Sequence, residues 1–271
     1  MRIVVALKFV PDIASERRFE ASRLVRDPAD GSLNELDENA VEAALRLVEV
    51  AGAESGDESV DAHEVIAITM GPDAADLALR KAFQMGATRG IRLSDDALTG
   101  SDYFGTTTAL AALIRRLGAE TPIDLVVTGQ IALDSLGAVL PVLLAQDLGW
   151  PALTHAKSVE LAGRTLSVER AYDDVVEQAK AELPAVVSVT DSANTVRMPN
   201  FKLIMAARTK QIEVVDVAAL DLDPDTVGAA GARAVVVQAT PAPPRPPCEL
   251  VVDKGEGGKA LADFLIEREL V

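Results

Sequence analysis

Short apolar runs alternate with amphipathic stretches along the first half of the chain. Residues 2–10 contain the apolar run 3–7, which is typical of a central parallel strand buried on both faces. Apolar residues recur at helical spacing over residues 37–50, which predicts an amphipathic helix. Residues 64–70 repeat the strand pattern, and residues 73–85 repeat the helix pattern.

Two more strand–helix units continue this order. Residues 90–93 and 123–128 are predicted strands, and helices are predicted over residues 103–117 and from the Gly137-Ala138 pair to residue 148. Four successive β-α units predict an α/β fold with a doubly wound parallel sheet and right-handed crossovers. Helices on both faces give the three layers of a Rossmann-like, adenine-nucleotide-binding fold.

The pattern changes after Pro151. Residues 158–161 and 165–172 predict a hairpin, residues 175–182 alternate weakly, and residues 185–190 form an apolar strand. We expect these strands to be added antiparallel to the parallel sheet, as a hairpin extension over residues 155–190. A loop over residues 191–200 and a helix over residues 201–208 follow, and we place the whole domain at residues 1–220.

Residues 221–271 have the composition of an extended C-terminal arm. A short strand is predicted at residues 235–237, a proline-rich run at residues 241–247, and an amphipathic helix at residues 259–269. The prolines favour a stiff, extended backbone. An isolated helix of this length is marginal in water, so it needs another surface, either on its own domain or on another subunit.

The end of the fourth strand has the features of an anion site. A buried run ends at Gly129, a short loop carries the carboxylate of Asp134, and the Gly137-Ala138 pair precedes an apolar helix. Unpaired N–H groups and the helix dipole attract anions where such a strand feeds a helix. Every α/β protein has such loops, so an ordinary crossover is the alternative for this segment taken alone.

Composition excludes several classes of function. A net charge of −16 repels nucleic acid and anionic membranes, and 3% aromatic residues are too few for base-stacking platforms. Cys248 is the single cysteine and His63 and His155 are the only histidines, which disfavours a metal site or a histidine-based catalytic site. No apolar run approaches the roughly 20 residues of a membrane span, and no leader pattern occurs, so we expect a cytoplasmic protein.

An ordered series of segments resembles the β-subunit of bacterial electron transfer flavoproteins. The likeness covers essentially the whole chain. No single segment is diagnostic, but the ordered series is strong. Its segments are Val5-Ala6-Leu7-Lys8-Phe9-Val10-Pro11-Asp12, Leu33-Asn34-Glu35-Leu36-Asp37-Glu38-Asn39-Ala40-Val41-Glu42-Ala43-Ala44, Met70-Gly71-Pro72, Arg80-Lys81-Ala82-Phe83-Gln84-Met85-Gly86-Ala87-Thr88-Arg89-Gly90, residues 129–141, Leu148-Gly149-Trp150-Pro151, Leu183-Pro184-Ala185-Val186-Val187-Ser188-Val189 and Phe201-Lys202-Leu203-Ile204-Met205-Ala206-Ala207.

The resemblance implies an electron carrier, not an enzyme. A β-subunit of this family pairs with an α-subunit that holds most of the FAD, and it binds AMP in a structural role. The heterodimer takes electrons from flavin dehydrogenases, such as acyl-CoA dehydrogenases of fatty acid oxidation, and passes them through a quinone oxidoreductase towards the quinone pool. The C-terminal arm wraps the α-subunit, and neither nucleic acid nor membrane insertion is implied.

Two groups of residues carry these expectations. The cofactor-binding residues come from four segments that we expect to converge at the start of the helix predicted from the Gly137-Ala138 pair. They are Ala6, Asn34, Glu35, Leu36, Asp37, Met70, Gly129, Gln130, Asp134, Ser135, Leu136, Gly137, Ala138, Val139 and Leu140. The partner-binding residues match the family's dehydrogenase-recognition loop, within residues 191–209: Arg197, Met198, Pro199, Asn200, Phe201, Lys202, Leu203, Ile204, Met205 and Ala206. Phe201 stands where the family has its anchoring leucine, and packing of Phe201 in the core is the alternative.

This chain departs from the family pattern at three places. The phosphate loop lacks polar Thr and Gln residues, Ala171 replaces the acidic residue that orients the FAD domain, and the Leu-Asn-Glu-Pro-Arg segment is Ala193-Asn194-Thr195-Val196-Arg197. One alternative is an electron-bifurcating relative with a second FAD in place of AMP, although the loop lacks extra glycines and basic residues. The others are an ATP-using nucleotidyl transferase, whose pyrophosphate loop is missing, and a stress-type nucleotide-binding homodimer, which would lack the hairpin and the tail.

Overall fold

A computed structural model describes residues 1–55, 63–240, 242–248 and 250–271, which form two compact units, Met1–Val237 and Gln238–Val271. The strands all belong to the first unit: β1 Arg2–Leu7, β2 Phe9–Pro11, β3 Phe19–Glu20, β4 Arg23–Leu24, β5 Gly31–Leu33, β6 Glu64–Met70, β7 Arg89–Leu93, β8 Leu125–Gly129, β9 Ala152–Ala156, β10 Ser158–Ala162, β11 Thr165–Tyr172, β12 Val175–Glu182, β13 Ala185–Val189 and β14 Glu213–Val215. The helices are α1 Glu35–Ser55, α2 Asp76–Met85, α3 Tyr103–Glu120, α4 Leu140–Leu148, α5 Phe201–Thr209, α6 Gly228–Gly231 and α7 Gly257–Glu267.

A seven-stranded parallel sheet with the order β14-β7-β6-β1-β8-β13-β9 forms the centre of the first unit. Along the inner strands β1, β6, β8 and β13, residues on opposite faces of the sheet pack into two different hydrophobic clusters. On β1, Ile3 and Val5 pack with α1 and α2, whereas Val4 packs with α3. Both faces are therefore covered by helices, and the predicted doubly wound fold is confirmed.

The strand order reverses beside β1. The chain runs from β1 to β6 and β7 on one side, and then returns to form β8 on the other side of β1. The register places Ala6 opposite Ile68 of β6 and Thr128 of β8. The crevice beyond the carboxyl ends of strands at such a reversal is the usual ligand site of open α/β sheets.

The antiparallel strands after Pro151 are present, but they do not extend the central sheet as predicted. β10, β11 and β12 pair with one another in a separate three-stranded sheet. β9 and β13 join the central sheet in parallel. The two-residue turn Gly163-Arg164 joins β10 directly to β11, so the hydrogen-bonding groups of these strands are satisfied by local hairpin pairing.

Two further predictions about elements need correction, and one strand was not predicted. Residues 235–237 are not a strand; their valine side chains are exposed and no neighbouring strand pairs with them in the part of the chain that the structure describes. α4 begins at Leu140 and not at the Gly137-Ala138 pair, because positive φ at Ala138 is incompatible with a helix there. β14, which pairs with β7 at the sheet edge, is not foreseen from the sequence.

The first compact unit ends at Val237. Residues 221–237 belong to it, and α6 lies in this stretch. In the second unit, α7 accounts for the predicted terminal helix, while Pro241 of the predicted proline-rich run lies outside the described residues. Within the described ranges, no helix combines the length and apolarity that crossing a membrane requires.

Candidate functional site

Three predicted site residues meet at the carboxyl edge of the central sheet. Ala6 lies near the end of β1, Met70 ends β6 and Gly129 ends β8. Because β6 and β8 flank β1, the three strand ends are adjacent. The sequence prediction that these positions converge is therefore correct for the backbone.

Asn34 joins the segment before α1 to the loop after β8. Its Nδ2 donates hydrogen bonds to Oδ1 of Asp37 at 2.8 Å and to the carbonyl oxygen of Ile131 at 2.9 Å. Its Oδ1 accepts a hydrogen bond from the N–H of Leu133 at 3.0 Å. The side chain is fully buried, and these three hydrogen bonds hold the loop in place.

Asp37 is a buried carboxylate surrounded by donors. Its Oδ2 accepts the N–H of Lys8 at 2.7 Å, and its Oδ1 accepts from Asn34. Burial raises the pKa of Asp37 to about 7, although hydrogen bonds from Asn34, Lys8 and Gly129 work in the opposite direction. A Cβ on Gly129 would lie 2.5 Å from Oδ1 of Asp37, so the glycine allows the end of β8 to lie this close to the Asp37 carboxylate.

The remaining residues of the predicted adenine side lie beside Asp37. Glu35, the first residue of α1, is exposed, and Leu36 is half-buried. Met70 and Gln130 are also half-buried. These side chains border the crevice and leave it accessible.

The loop between β8 and α4 presents backbone donors. Leu136 and Ala138 have positive φ values of 51° and 52°, and such kinks turn successive N–H groups towards one point. Among the residues that the structure describes, no oxygen accepts a hydrogen bond from the N–H groups of Gly137, Ala138 or Val139. Together with the positive end of the α4 dipole, these three groups can bind an anion.

Asp134 fixes the same loop through two basic residues. Its carboxylate is completely buried and contacts Nζ of Lys8 at 2.8 Å and Nε of Arg26 at 3.2 Å. Burial opposes ionisation of Asp134, but Lys8 and Arg26 outweigh it and hold its pKa below the ordinary value. Ser135 and Leu136, next in the loop, are exposed.

Tyr103, the first residue of α3, packs against the loop between β8 and α4 at Gly137. A Cβ on Gly137 would lie 2.2 Å from the phenol oxygen of Tyr103 and 2.5 Å from its Cζ. Only glycine fits at this position without displacing the ring. Tyr103 therefore determines which residue the loop can carry, and sequence reasoning did not include it in the site.

The predicted recognition segment consists of the residues that lead into α5 and the first six residues of that helix. Asn200 caps α5, since its Oδ1 accepts the N–H of Leu203 at 2.9 Å. Met198 is 90% exposed and Phe201 is 78% exposed, so the alternative that Phe201 packs in the core is wrong. Of the other members, Lys202, Met205 and Ala206 are exposed, and Pro199, Leu203 and Ile204 are half-buried.

Arg197, a member of the predicted partner-binding set, forms ion pairs within this chain. Its Nε binds Oε2 of Glu42 at 2.7 Å and its Nη1 binds Oε1 of Glu49 at 2.7 Å, both on α1. Its guanidinium group is therefore committed to the chain's own helix. Glu42 was missed by sequence reasoning, although a charged residue inside the apolar run 40–44 is a signal that could have identified it.

Lys8 and Arg26 are also absent from the predicted cofactor set. Lys8 follows directly after β1, where the strand order reverses. A basic residue at this position is the signal by which the sequence could have identified it. Arg26 lies 108 residues from Asp134 in a polar segment with no local pattern, so nothing in the sequence identified it.

Comparison with known proteins gives consistent matches. A family model described as "Electron transfer flavoprotein domain" matches residues 23–220. The chain is 39% identical over 271 residues to a protein of Mycobacterium bovis named electron transfer flavoprotein subunit beta, with 99% of each chain covered. A protein of the same name from Mycobacterium leprae is 38% identical over 273 residues, again with 99% of each covered. Protein FixA of Azotobacter vinelandii is 30% identical over 274 residues, covering 99% of this chain and 94% of its own.

Proposed function

Since the chain belongs to the electron transfer flavoprotein family as a β-subunit, we propose that it carries electrons from flavin dehydrogenases, such as acyl-CoA dehydrogenases, towards the quinone pool. It acts in a heterodimer with an α-subunit, which holds most of the FAD. This subunit binds AMP structurally at the carboxyl edge of its central sheet. The protein is an electron carrier, and a quinone oxidoreductase accepts the electrons.

The row of unpaired N–H groups at Gly137, Ala138 and Val139 carries the nucleotide proposal. Three successive N–H donors just before a helix suit one phosphate group. Lys8 adds positive charge nearby, since its side chain is 40% exposed although it is paired with Asp134. AMP carries one phosphate, and its charge would be held without any metal ion. The half-buried side chains of Leu36 and Met70 can border the base.

Nucleotide content of the purified heterodimer tests this proposal. The complex is denatured, the protein is removed, and adenine nucleotides in the supernatant are quantified by mass spectrometry beside the flavin absorbance. We expect AMP and FAD each near one per heterodimer. Two FAD and no AMP would support the electron-bifurcating alternative, and no adenine nucleotide beyond the FAD of the α-subunit would refute AMP binding.

The exposed Phe201 supports the proposed encounter with a dehydrogenase. Phe201 is 78% exposed and Met198, three residues before it, is 90% exposed, and neighbouring exposed apolar side chains suit a contact with a partner. Burial of the Phe201 side chain in a partner's pocket stabilises the complex by roughly 1.5–3 kcal/mol, which is enough to localise a contact that still dissociates quickly. A single side chain can thus direct docking while the rest of the contact stays loose.

Phe201→Ala in the heterodimer tests docking. We expect an unchanged melting temperature and flavin content, because the side chain contributes little to the fold, and slower transfer from a reduced acyl-CoA dehydrogenase at low donor concentration. Val214→Ala, an exposed apolar residue on the edge strand β14, is the control and should leave transfer unchanged. Normal transfer by the Phe201 variant would contradict the docking role.

A further inference from the structure

The segment that precedes the recognition residues is tied to the outer face of α1. Nδ2 of Asn39 donates to the carbonyl oxygen of Asn194 at 3.1 Å, and Nδ2 of Asn194 donates to the carbonyl oxygen of Asn39 at 2.9 Å. Arg46 donates to the carbonyl oxygen of Thr195 at 2.9 Å. One helix of the nucleotide-binding domain therefore holds the backbone that leads to Met198.

Glu42 is the most buried polar group of this contact. Its side chain is 2% exposed, and it accepts hydrogen bonds from Nε of Arg46 at 2.5 Å and from Nε of Arg197 at 2.7 Å. Its Oε2 also accepts the backbone N–H of Arg197 at 3.2 Å. Burial opposes ionisation of Glu42, but the bonds from Arg197 and Arg46 outweigh it, so that its pKa lies below the ordinary value.

This arrangement restrains both the backbone and the side chain of Arg197. If Arg197 moved away, a buried carboxylate would keep only Arg46 as a partner, and an incompletely paired buried charge is strongly unfavourable. On the other side of the exposed residues, the α5 cap at Asn200 and a hydrogen bond of 2.8 Å from Arg80 to the carbonyl oxygen of Ala207 hold the chain. The exposed stretch between Arg197 and α5 is thus fixed at both ends.

We propose that Glu42 is a positioning residue for dehydrogenase docking: through Arg197 it holds Met198 and Phe201 outward in the conformation that a dehydrogenase binds. This inference rests on the proposed docking role of Phe201. A segment ordered before the encounter loses less conformational entropy on binding, so the restraint lowers the dehydrogenase concentration needed for transfer. Glu42 does not touch the partner and has no part in the electron transfer step.

Steady-state transfer from a substrate-reduced acyl-CoA dehydrogenase to the heterodimer separates these roles. Glu42→Gln should raise the KM for the dehydrogenase about tenfold, the scale of one lost hydrogen bond to a charged group, while kcat at saturation stays the same. Glu38→Gln is the matched control, because Glu38 lies on the same helix and pairs with Lys81 at 3.3 Å away from the segment. Its KM should not change.

Two further variants distinguish a failure of the positioning role of Glu42 from a failure of docking through Phe201. In the double variant Glu42→Gln with Arg197→Ala, KM should be no higher than in Arg197→Ala alone, since both residues act through one contact. If Phe201→Ala raises KM and Glu42→Gln does not, the positioning role is refuted and docking stands. If Phe201→Ala has no effect either, the proposed docking itself fails.

Hydrogen exchange in the heterodimer gives a measurement that does not depend on the dehydrogenase. Loss of the Glu42 contact should accelerate amide exchange at residues 197–203, and the exchange in β1 should remain slow. If Glu42→Gln does not assemble, Arg197→Lys serves instead, because it keeps the charge but loses the fork of donors. Unchanged exchange at residues 197–203 in whichever variant assembles would overturn the proposal.

Discussion

Replacement of Asp37 by asparagine should remove an unusual pH dependence of stability. In the folded protein the pKa of Asp37 is raised to about 7 from the ordinary 3.8, because its carboxylate is buried. Between these two pH values the unfolded chain releases the proton while the folded chain keeps it. The folded state therefore loses stability as the pH rises through this window, and the loss is complete above the folded pKa.

The magnitude follows from the size of the shift. The two pKa values differ by about three units, and each unit corresponds to about 1.4 kcal/mol, which gives a total of about 4 kcal/mol. Asparagine cannot ionise, so Asp37→Asn lacks this loss. The asparagine also places an NH₂ group against Asn34 or Lys8, both of which donate hydrogen bonds to Asp37. Two donors that face each other lower the stability by roughly 1–3 kcal/mol at every pH.

Urea denaturation of the heterodimer at pH 5, 6, 7 and 8, at one fixed protein concentration, measures the effect. The free energy of unfolding of the unaltered protein minus that of Asp37→Asn should fall by about 2 kcal/mol between pH 5 and 7, because Asp37 of the folded protein is already half ionised at pH 7. Asp134→Asn is the control, because the pKa of Asp134 is lowered and its contribution is lost only at more acidic pH. If the free energy of unfolding of the unaltered protein minus that of Asp37→Asn stays constant or increases from pH 5 to 7, the reasoning is refuted.

Two other changes test the nucleotide loop and the arm. Gly137→Ala should reduce the AMP retained by the purified heterodimer at least tenfold, since the new Cβ would lie 2.2 Å from the phenol oxygen of Tyr103. Gly118→Ala, where the added Cβ meets no atom within 4 Å, should retain AMP normally, and equal retention by both variants would contradict the role of Gly137. Truncation after Thr240 should leave the first unit folded but weaken binding to the α-subunit, as measured by isothermal titration, because α7 would no longer bury Leu261 and Phe264, both exposed in this chain, on the partner. Undiminished binding would show that the arm is dispensable.

The central elements could be predicted because each has a strong local pattern. The strand predicted at residues 64–70 has those bounds, since its apolar run is closed by Gly71-Pro72. β14 has only three residues and gains its identity from pairing with β7, which no local pattern reveals. Val235, Val236 and Val237 have high strand propensity, but a strand also needs a partner.

The site was predictable in position and less so in its contacts. Strand order follows from the β-α pattern, so the convergence of Ala6, Met70 and Gly129 could be inferred. The bonds of Asp134 to Lys8 and Arg26 span 126 and 108 residues, and they depend on how loops fold back over the sheet. The exposure of Phe201 likewise depends on the tertiary position of α5, which helical spacing alone could not decide.

The hydrogen bonds of Asn34 have a consequence for the order in which the subunit is made. They join residues 97 and 99 positions apart, and closing a chain loop of that length costs about 4 kcal/mol of entropy. The pairing of β8 with β1 offsets this loss of entropy. The hydrogen bonds of Asn34 therefore form only after β8 has been synthesised and has paired with β1. A nascent chain or a proteolytic fragment that ends before β8 cannot assemble the phosphate loop. The proposed nucleotide would therefore be retained only by chains that have completed the central sheet, and its presence would mark a subunit that has finished folding.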